Sequence, residues 1–123
     1  MLVIAHRGAS GRAPENTLAS FEQAIAVGVD GIELDVHLTR DGQLVVIHDQ
    51  NLARTTGGEG LVHEHTLAEL KALDAGSWFG AAFAGERIPT FEEVLVRVAG
   101  RVPLQVEIKG RTEGVTEATI AAL

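Results

Sequence analysis

Two acidic side chains and a histidine between residues 30 and 49 have a spacing that could support metal and acid–base chemistry. Glu33 and Asp35 lie two residues apart in the β-rich run Gly31–Leu38, and His48 ends a second such run, Leu44–His48. Because strand side chains alternate between faces, both carboxylates point to the same side of their strand. Two bare carboxylates this close repel each other, and a bound cation keeps both ionised. The spacing therefore predicts a cation site on this strand face.

A short link brings the histidine back toward the carboxylates. Residues 39–43 join the two runs, and their Asp41-Gly42 pair is a strong turn signal. Five residues are too few for a helical crossover, so the two runs are predicted to form a hairpin. A turn centred on Arg40–Asp41 places His48 opposite Glu33. The hairpin therefore predicts an imidazole beside two carboxylates.

Polar side chains also follow two other apolar runs. His6 and Arg7 come directly after the first run of the chain, and Glu107 and Lys109 end the last one. In a parallel barrel the carboxyl ends of the strands form one rim, and such folds build their sites there. Four successive runs that end in functional side chains therefore predict one shared site, in which Arg7 and Lys109 neutralise phosphate oxygens.

The residue types at this rim indicate a hard cation and proton transfer. Glu33, Asp35 and Glu107 offer oxygen ligands alone, which suits Mg²⁺ or Ca²⁺. His6 and His48, on either side of a metal-held phosphate, are suited to general acid and general base roles. Ordinary explanations exist for single residues, such as a solvated strand face for the acidic pair. The arrangement favours a site, because the polar residues all fall at one end of apolar runs.

The elements that position these residues alternate between strands and helices, which predicts an α/β layer or barrel. Residues 50–87 form a looser region between them. The predicted elements are a fully buried strand at Leu2–Ala5, a helix from Pro14–Thr17 to Gly28, the two hairpin strands, helices begun by capping boxes at Thr66–Glu69 and Thr90–Glu93, a strand at Val102–Ile108 and a helix from Thr112 to Leu123.

Composition limits the class of protein. The 123 residues suffice for one domain with a real core, and the apolar fraction of 46% is typical of a globular protein. A net charge of −7 argues against binding to nucleic acid or to an anionic membrane surface. Cysteine is absent, which excludes a disulfide framework and a thiol nucleophile. No apolar run is long enough for a signal peptide or a membrane span, so we predict a cytoplasmic protein without stable membrane insertion.

Short motifs in a fixed order resemble one known family. They are HRG at 6–8, PENT at 14–17, E-x-D at 33–35, HD at 48–49, RTT at 54–56, IPTFEEVL at 88–95 and E-x-K at 107–109. Together they resemble the glycerophosphodiester phosphodiesterase family over nearly the whole chain. The resemblance implies a TIM-type (β/α) barrel, of which residues 1–123 are the first half, with a small insertion at about residues 50–87.

The resemblance also implies a reaction and roles for the site residues. The family hydrolyses glycerophosphodiesters to glycerol 3-phosphate and an alcohol with Ca²⁺ or Mg²⁺, and the substrate's own 2-hydroxyl attacks phosphorus to give a cyclic phosphate. The implied roles are catalysis for His6 and His48, metal binding for Glu33, Asp35 and Glu107, and substrate binding for Arg7, Lys109 and Glu15, with Glu15 as the partner of a phosphate contact.

The length of the chain keeps other functions open. A complete barrel needs about 250 residues, so we expect an amino-terminal half whose open strand edges pair with the missing barrel half or with a second copy. A lipid phosphodiesterase similar to lysophospholipase D or sphingomyelinase D is an alternative, because the same half-site would serve both. A non-catalytic half barrel is another, and nucleic-acid binding ranks last. The sequence does not identify the alcohol head group.

Overall fold

Strands and helices alternate in a computed structural model of the chain, which describes residues 1–110 and 112–123 and confirms the predicted α/β class. The strands are β1 Ile4–His6, β2 Gly31–Leu38, β3 Leu44–Val46 and β4 Leu104–Ile108. The helices are α1 Leu18–Val27, α2 Ala53–Thr56, α3 Leu67–Lys71, α4 Phe91–Val98 and α5 Val115–Ala122. Short 3₁₀ turns lie at Val62–Glu64 and Ala81–Phe83.

β2 is the centre of the sheet, because each other described strand pairs with it. β1 and β4 run parallel to β2, whereas β3 runs antiparallel. The Glu33 carbonyl accepts a hydrogen bond from the Arg7 N–H, just after β1. The next carbonyl on that edge, of Asp35, accepts from the Ile47 N–H just after β3. β1 and β3 therefore share one edge of β2, and β4 occupies the other.

The predicted hairpin between β2 and β3 is confirmed, but its register differs from the prediction. The observed register sets the centre of the turn on Asp41 instead of on Arg40–Asp41. Residues 39 and 43 close the loop through a backbone hydrogen bond of 2.8 Å, which fixes this register. His48 is therefore one residue away from the predicted position opposite Glu33.

The first strand is not fully buried, which corrects the prediction for Leu2–Ala5. β1 begins at Ile4, and Leu2 and Val3 before it are 75% and 56% exposed. The cause is its position, since among the described strands β1 pairs only with β2. Other boundaries shift by a few residues: β3 ends at Val46, β4 begins at Leu104 and α5 begins at Val115.

Threonine side chains begin the helices as predicted. Thr17, Thr66 and Thr90 each accept a hydrogen bond from a backbone N–H of the first turn, which supplies a partner that the helix itself lacks. Gly28 ends α1 in the left-handed conformation, which glycine adopts without the clash of a Cβ atom. The caps fix where α1 and α4 start and hence how they lie against the sheet.

Two apolar cores pack on opposite faces of β3. The first lies between the sheet and helices α1 and α4, and Val46 belongs to it. The second lies beneath residues 47–88, and Val45 belongs to it. Because neighbouring residues of a strand point to opposite faces, β3 contributes to both cores. The insertion predicted at about residues 50–87 falls largely on the second core, and its bounds stay a prediction.

The inward face of the sheet forms an open groove of about 470 Å³. Its lining residues come from β1, β2 and β4 and are Ile4, His6, Glu33, Gln105, Val106 and Glu107.

None of the described helices has the length and apolar character that crossing a bilayer requires. The cytoplasmic location stays a prediction.

Gly8 lies directly behind His6 and Arg7 and allows a close approach to α1. Its φ is +80°, and a Cβ atom there would lie 2.9 Å from the Ser20 carbonyl carbon and closer still to the Ser20 hydroxyl. Only glycine satisfies both conditions, because a real Cβ atom does not approach a backbone carbon this closely.

We expect Gly8→Ala to lower the free energy of unfolding by roughly 3 kcal/mol, because it adds overlap to backbone strain. Gly42→Ala is the matched control, since Gly42 also has a φ of +80° but nothing within 4 Å of the added Cβ. Its cost should be about 1 kcal/mol, from the left-handed backbone alone. Equilibrium unfolding in urea measures both, and equal costs would contradict the close-approach explanation.

Candidate active site

Three carboxylates meet on the inward face of the sheet. Glu33 and Asp35 come from β2, and Glu107 comes from β4, where it pairs in register with Asp35. One oxygen from each carboxylate lies within 4.8 Å of the others. Asp35 is completely buried and Glu33 nearly so, whereas Glu107 is exposed. The structure thus brings together the three residues that the sequence predicted as metal ligands.

The cluster leaves buried polar atoms without partners, which makes it a good fit for a hard cation. Among the described residues, Glu33 Oε1 and Asp35 Oδ1 are buried and accept no hydrogen bond. Burial raises the pKa of Glu33 above its ordinary value, and the charge of Asp35 raises it further, although His6 opposes the shift. A divalent cation would satisfy both oxygens and remove the repulsion, and an all-oxygen donor set suits Mg²⁺ or Ca²⁺.

His6 stands beside this cluster at the end of β1. It pairs in register with Glu33, and its Nε2 lies 3.2 Å from Glu33 Oε2. Its side chain is 64% exposed and lines the groove. His6 is therefore next to the predicted cation ligands and open to a substrate from the groove.

His48 reaches the site by a different route from the predicted one. Its strand was predicted to end at the same rim as the parallel strands, which is wrong because β3 is antiparallel to β2. The short link forces this direction, and β3 runs back along β2 until Ile47 donates to the Asp35 carbonyl at 3.0 Å. The Nδ1 of His48 lies 2.8 Å from Asp49 Oδ1. A second imidazole therefore approaches from the turn side of the site.

Two basic residues flank the carboxylates, as predicted. The Nη1 of Arg7 donates to Glu15 Oε2 at 3.1 Å, and its Nε lies 3.8 Å from Asp35 Oδ2. The Nζ of Lys109 lies 2.8 Å from Glu107 Oε1. The hydrogen bond from Lys109 lowers the pKa of Glu107, and the charges of the two candidate catalytic histidines add smaller decreases. Both basic side chains thus lie beside the carboxylate cluster, and guanidinium and ammonium groups are types that bind phosphate oxygens.

Asn16 belongs to the site, although the sequence analysis assigned it only to the helix start. Its Nδ2 donates to Asp35 Oδ2 at 3.0 Å, and it is buried with a φ of +55°. Thr17 alone caps α1. Asn16 holds one oxygen of Asp35 and leaves the other free to face a cation. Asparagine tolerates the left-handed conformation better than most residues, which is the signal that could have separated it from the cap.

Arg54 is a second residue of the site without a predicted role. Its Nε and Nη2 donate to both oxygens of Asp49 at 2.8 and 3.0 Å, and its Nη1 and Nη2 donate to both oxygens of Glu15 at 2.8 and 2.9 Å. The side chain is also 5.9 Å from the ring centre of Trp78, whose indole N–H donates to the Ala75 carbonyl. Arg54 therefore connects the segment behind His48 to the loop that carries Arg7.

His37 supports the backbone that carries His48. It is buried on the same face of β2 as the two carboxylates, and its Nε2 lies 2.8 Å from the His48 carbonyl. Because a carbonyl can only accept, Nε2 is the donor. Burial lowers the pKa of His37, which favours the neutral form of the ring. Its contact fixes the backbone of His48.

Comparison with known proteins matches this chain to a protein family. The model of the glycerophosphoryl diester phosphodiesterase family matches residues 6–118. A glycerophosphodiester phosphodiesterase of Caldanaerobacter subterraneus subsp. tengcongensis is 59% identical over 109 residues, which cover 88% of this chain and 45% of that protein. A glycerophosphodiester phosphodiesterase of Bacillus subtilis is 46% identical, over 100% of this chain and 45% of that protein.

Solved structures give the same result. An Oleispira antarctica phosphodiesterase in complex with the product sn-glycerol-3-phosphate has a TM-score of 0.90 and 50% identity. The match covers 99% of this chain and 49% of that protein. A glycerophosphodiester phosphodiesterase of Agrobacterium tumefaciens has a TM-score of 0.90 and 40% identity, and the match covers 98% of this chain and 52% of that protein.

The chain spans about half the length of the curated relatives and solved structures that it matches. Its parallel strands β1, β2 and β4 with their helices correspond to about half of a TIM-type barrel, which confirms the predicted fold. The family match covers most of the chain, and the motifs that suggested it lie within the matched residues. The chain therefore belongs to the glycerophosphoryl diester phosphodiesterase family.

Proposed function

We propose that the protein hydrolyses glycerophosphodiesters to glycerol 3-phosphate and an alcohol, with the aid of a divalent cation. The observation that carries the proposal is the group of three carboxylates beside two histidines, in a chain of this family. Two of the three, Glu33 and Asp35, each have a buried oxygen without a hydrogen-bond partner among the described residues. The Oleispira antarctica relative has sn-glycerol-3-phosphate as its product. A substrate that leaves this product fits a groove lined by Glu33 and Glu107, which suit a cation, and by His6, which suits proton transfer.

Glu33, Asp35 and Glu107 would hold the cation. Mg²⁺ and Ca²⁺ both suit this donor set, and when bound the cation neutralises charge on the phosphate. Asn16 fixes the orientation of Asp35 by donating to its second oxygen. Glu33 and Glu107 both line the open groove, and Glu107 is the more exposed of the two, whereas Asp35 is completely buried.

His6 and His48 would move the protons. One takes the proton of the substrate's 2-hydroxyl while that oxygen forms a bond to phosphorus, and the other gives a proton to the alcohol oxygen whose bond to phosphorus breaks. Water then opens the cyclic phosphate, and the two proton transfers run in the opposite direction. Arg7 and Lys109 would contact the phosphate oxygens, and Glu15 orients Arg7.

We also propose that a polypeptide forming the other half of the barrel completes the groove. The support is the edge position of β1, the exposed apolar side chains beside it and the half-length match to the relatives. Exposed strand edges and apolar residues favour pairing with another chain segment. A second copy of this chain is the competing partner.

Cation binding can be tested without activity. We expect millimolar Mg²⁺ or Ca²⁺ to raise the thermal unfolding midpoint, because a ligand of the native state alone stabilises it. Glu33→Gln should remove this increase and also raise the midpoint in chelator. The second effect follows from the raised pKa of Glu33, since its charged form is less favourable in the native than in the unfolded state and lowers stability above both pKa values.

The matched control for this experiment is Glu92→Gln, which removes an exposed carboxylate from α4. This variant should keep the increase with the cation and should not change the midpoint in chelator. An unchanged response of Glu33→Gln to the cation would exclude Glu33 as a ligand.

Barrel completion predicts activity in a mixture. The carboxyl-terminal half of the Caldanaerobacter subterraneus relative, mixed with this protein, should release glycerol 3-phosphate from glycerophosphocholine faster than the two separate proteins together. The reason is that the added half covers the open strand edges and closes the groove. Enzymatic detection of glycerol 3-phosphate measures the rate. A rate equal to the sum, with a dimer of this chain in ultracentrifugation, would favour the second copy.

The histidine roles predict large losses of rate in the same assay. His6→Ala and His48→Ala should each lower kcat by about 10²–10⁴, the usual contribution of a general acid or base. His63→Ala is the control, because His63 is exposed in a 3₁₀ turn and should leave kcat unchanged. Full activity in either site variant would remove that histidine from the mechanism.

A further inference from the structure

His48 reaches the site on the end of a short strand and needs a partner to orient its ring. The Nδ1 of His48 lies 2.8 Å from Asp49 Oδ1. Hydrogen bonds from Arg54 hold the pKa of Asp49 well below its usual range. Partial burial opposes this shift, and the hydrogen bond from His48 adds to it. An ionised carboxylate only accepts, so Nδ1 must carry the proton. The neutral ring then presents Nε2 as its basic nitrogen, and no described residue hydrogen-bonds to that atom.

Asp49 in turn depends on Arg54. It follows His48 directly, lies beyond the end of β3, and has a side chain that is about a quarter exposed. Arg54 binds both of its oxygens and both oxygens of Glu15 with one planar guanidinium. Glu15 lies 39 residues earlier and is only 10% exposed. The pair therefore anchors Asp49 to a buried group in another part of the fold.

The same guanidinium acts on the other side of the site. Burial alone would raise the pKa of Glu15, but hydrogen bonds and charge from Arg54, together with Arg7, outweigh it and lower the pKa. Glu15 is thus kept charged and accepts from Arg7 at 3.1 Å. A continuous series of opposite charges runs from Asp49 through Arg54 and Glu15 to Arg7.

We propose that Arg54 is a positioning residue that fixes the ring of His48 through Asp49 and the side chain of Arg7 through Glu15. The inference rests on the proposed function, because the orientation of His48 matters for hydrolysis only if His48 transfers a proton. Arg54 acts through two carboxylates and does not itself contact the carboxylate cluster. Its effect is on which ring nitrogen of His48 carries the proton and on where that ring points.

The guanidinium geometry, rather than the charge alone, carries this role. Four hydrogen bonds from one plane reach two carboxylates, and a lysine ammonium has no such fork. The Arg54 side chain is 44% exposed and belongs to neither apolar core, so its loss leaves both cores intact. Removal of Arg54 should therefore leave the protein folded while it releases Asp49.

The test reads the ring of His48 directly. In protein labelled with ¹⁵N in histidine, two-bond ring correlations at about pH 8, where imidazole is neutral, report which nitrogen carries the proton. The signals of His48 are identified by their loss in His48→Ala. We expect the Nδ1–H form in the unaltered protein and a shift toward the Nε2–H form in Arg54→Ala, because the hydrogen bond at Nδ1 sets the tautomer.

Matched variants separate position from charge. Arg97→Ala removes the same charge from α4, where Arg97 forms a surface ion pair with Glu22 of α1. This variant should leave the spectrum of His48 unchanged. Arg54→Lys keeps the charge but loses the fork, and should shift the tautomer nearly as far as Arg54→Ala. Full retention of the Nδ1–H form in Arg54→Lys would show that charge alone is enough, and would overturn the geometric argument.

The outcomes distinguish this inference from the proposed function. An unchanged tautomer in folded Arg54→Ala would overturn the inference and leave the proposed function standing. Unchanged kcat in His48→Ala would overturn the role of His48, while a tautomer shift in Arg54→Ala would still support the positioning contact. If the amide spectrum of Arg54→Ala shows unfolding, Asp49→Ala takes its place. It removes the oxygen that accepts from Nδ1–H, and an unchanged tautomer there would equally overturn the inference.

Discussion

Repulsion between like charges on the central strand is the constraint on which the rest of the site depends. Glu33 and Asp35 point the same way from β2, and β4 adds Glu107 beside them. Burying such a group is unfavourable unless each acid has a partner. Asn16 and Arg7 approach Asp35, and His6 approaches Glu33. One buried oxygen of Asp35 and one of Glu33 are still without a hydrogen-bond partner in the described part of the chain. The position of the two buried acids therefore depends on the neighbouring segments that carry Asn16, Arg7 and His6.

Much of this arrangement could be predicted from local sequence patterns. Alternation along β2 determines which side chains face inward, and the five-residue link determines that β3 turns back. Threonine caps fix the helix starts because their hydrogen bonds reach only a few residues along the chain. The meeting of Glu33 with Glu107 is not local, but parallel strands that end in acids bring their carboxyl ends to one edge.

The remaining features depend on contacts that local patterns do not encode. Asn16 looks like part of a helix start in the sequence, and only the fold shows that its amide reaches Asp35. Arg54 meets Glu15 across 39 residues, so no spacing rule could join them. The exposure of β1 depends on which strands lie beside it, and apolar composition alone predicted burial. The antiparallel direction of β3 conflicts with the prediction of a single rim of parallel strand ends. The link between β2 and β3 has only five residues, and this short length makes β3 antiparallel.

The three-residue strand β3 has a mechanical consequence. Val46 packs into the core under the sheet and Val45 into the core under residues 47–88, and β3 leads directly to His48. A repacking of the second core, beneath residues 47–88, would tilt β3 and displace the imidazole of His48. The acids on β2 and β4 would keep their places because these two strands pair with each other in parallel. In the proposed function, ion binding would therefore depend on the parallel strands, and proton transfer by His48 would depend on the packing of β3.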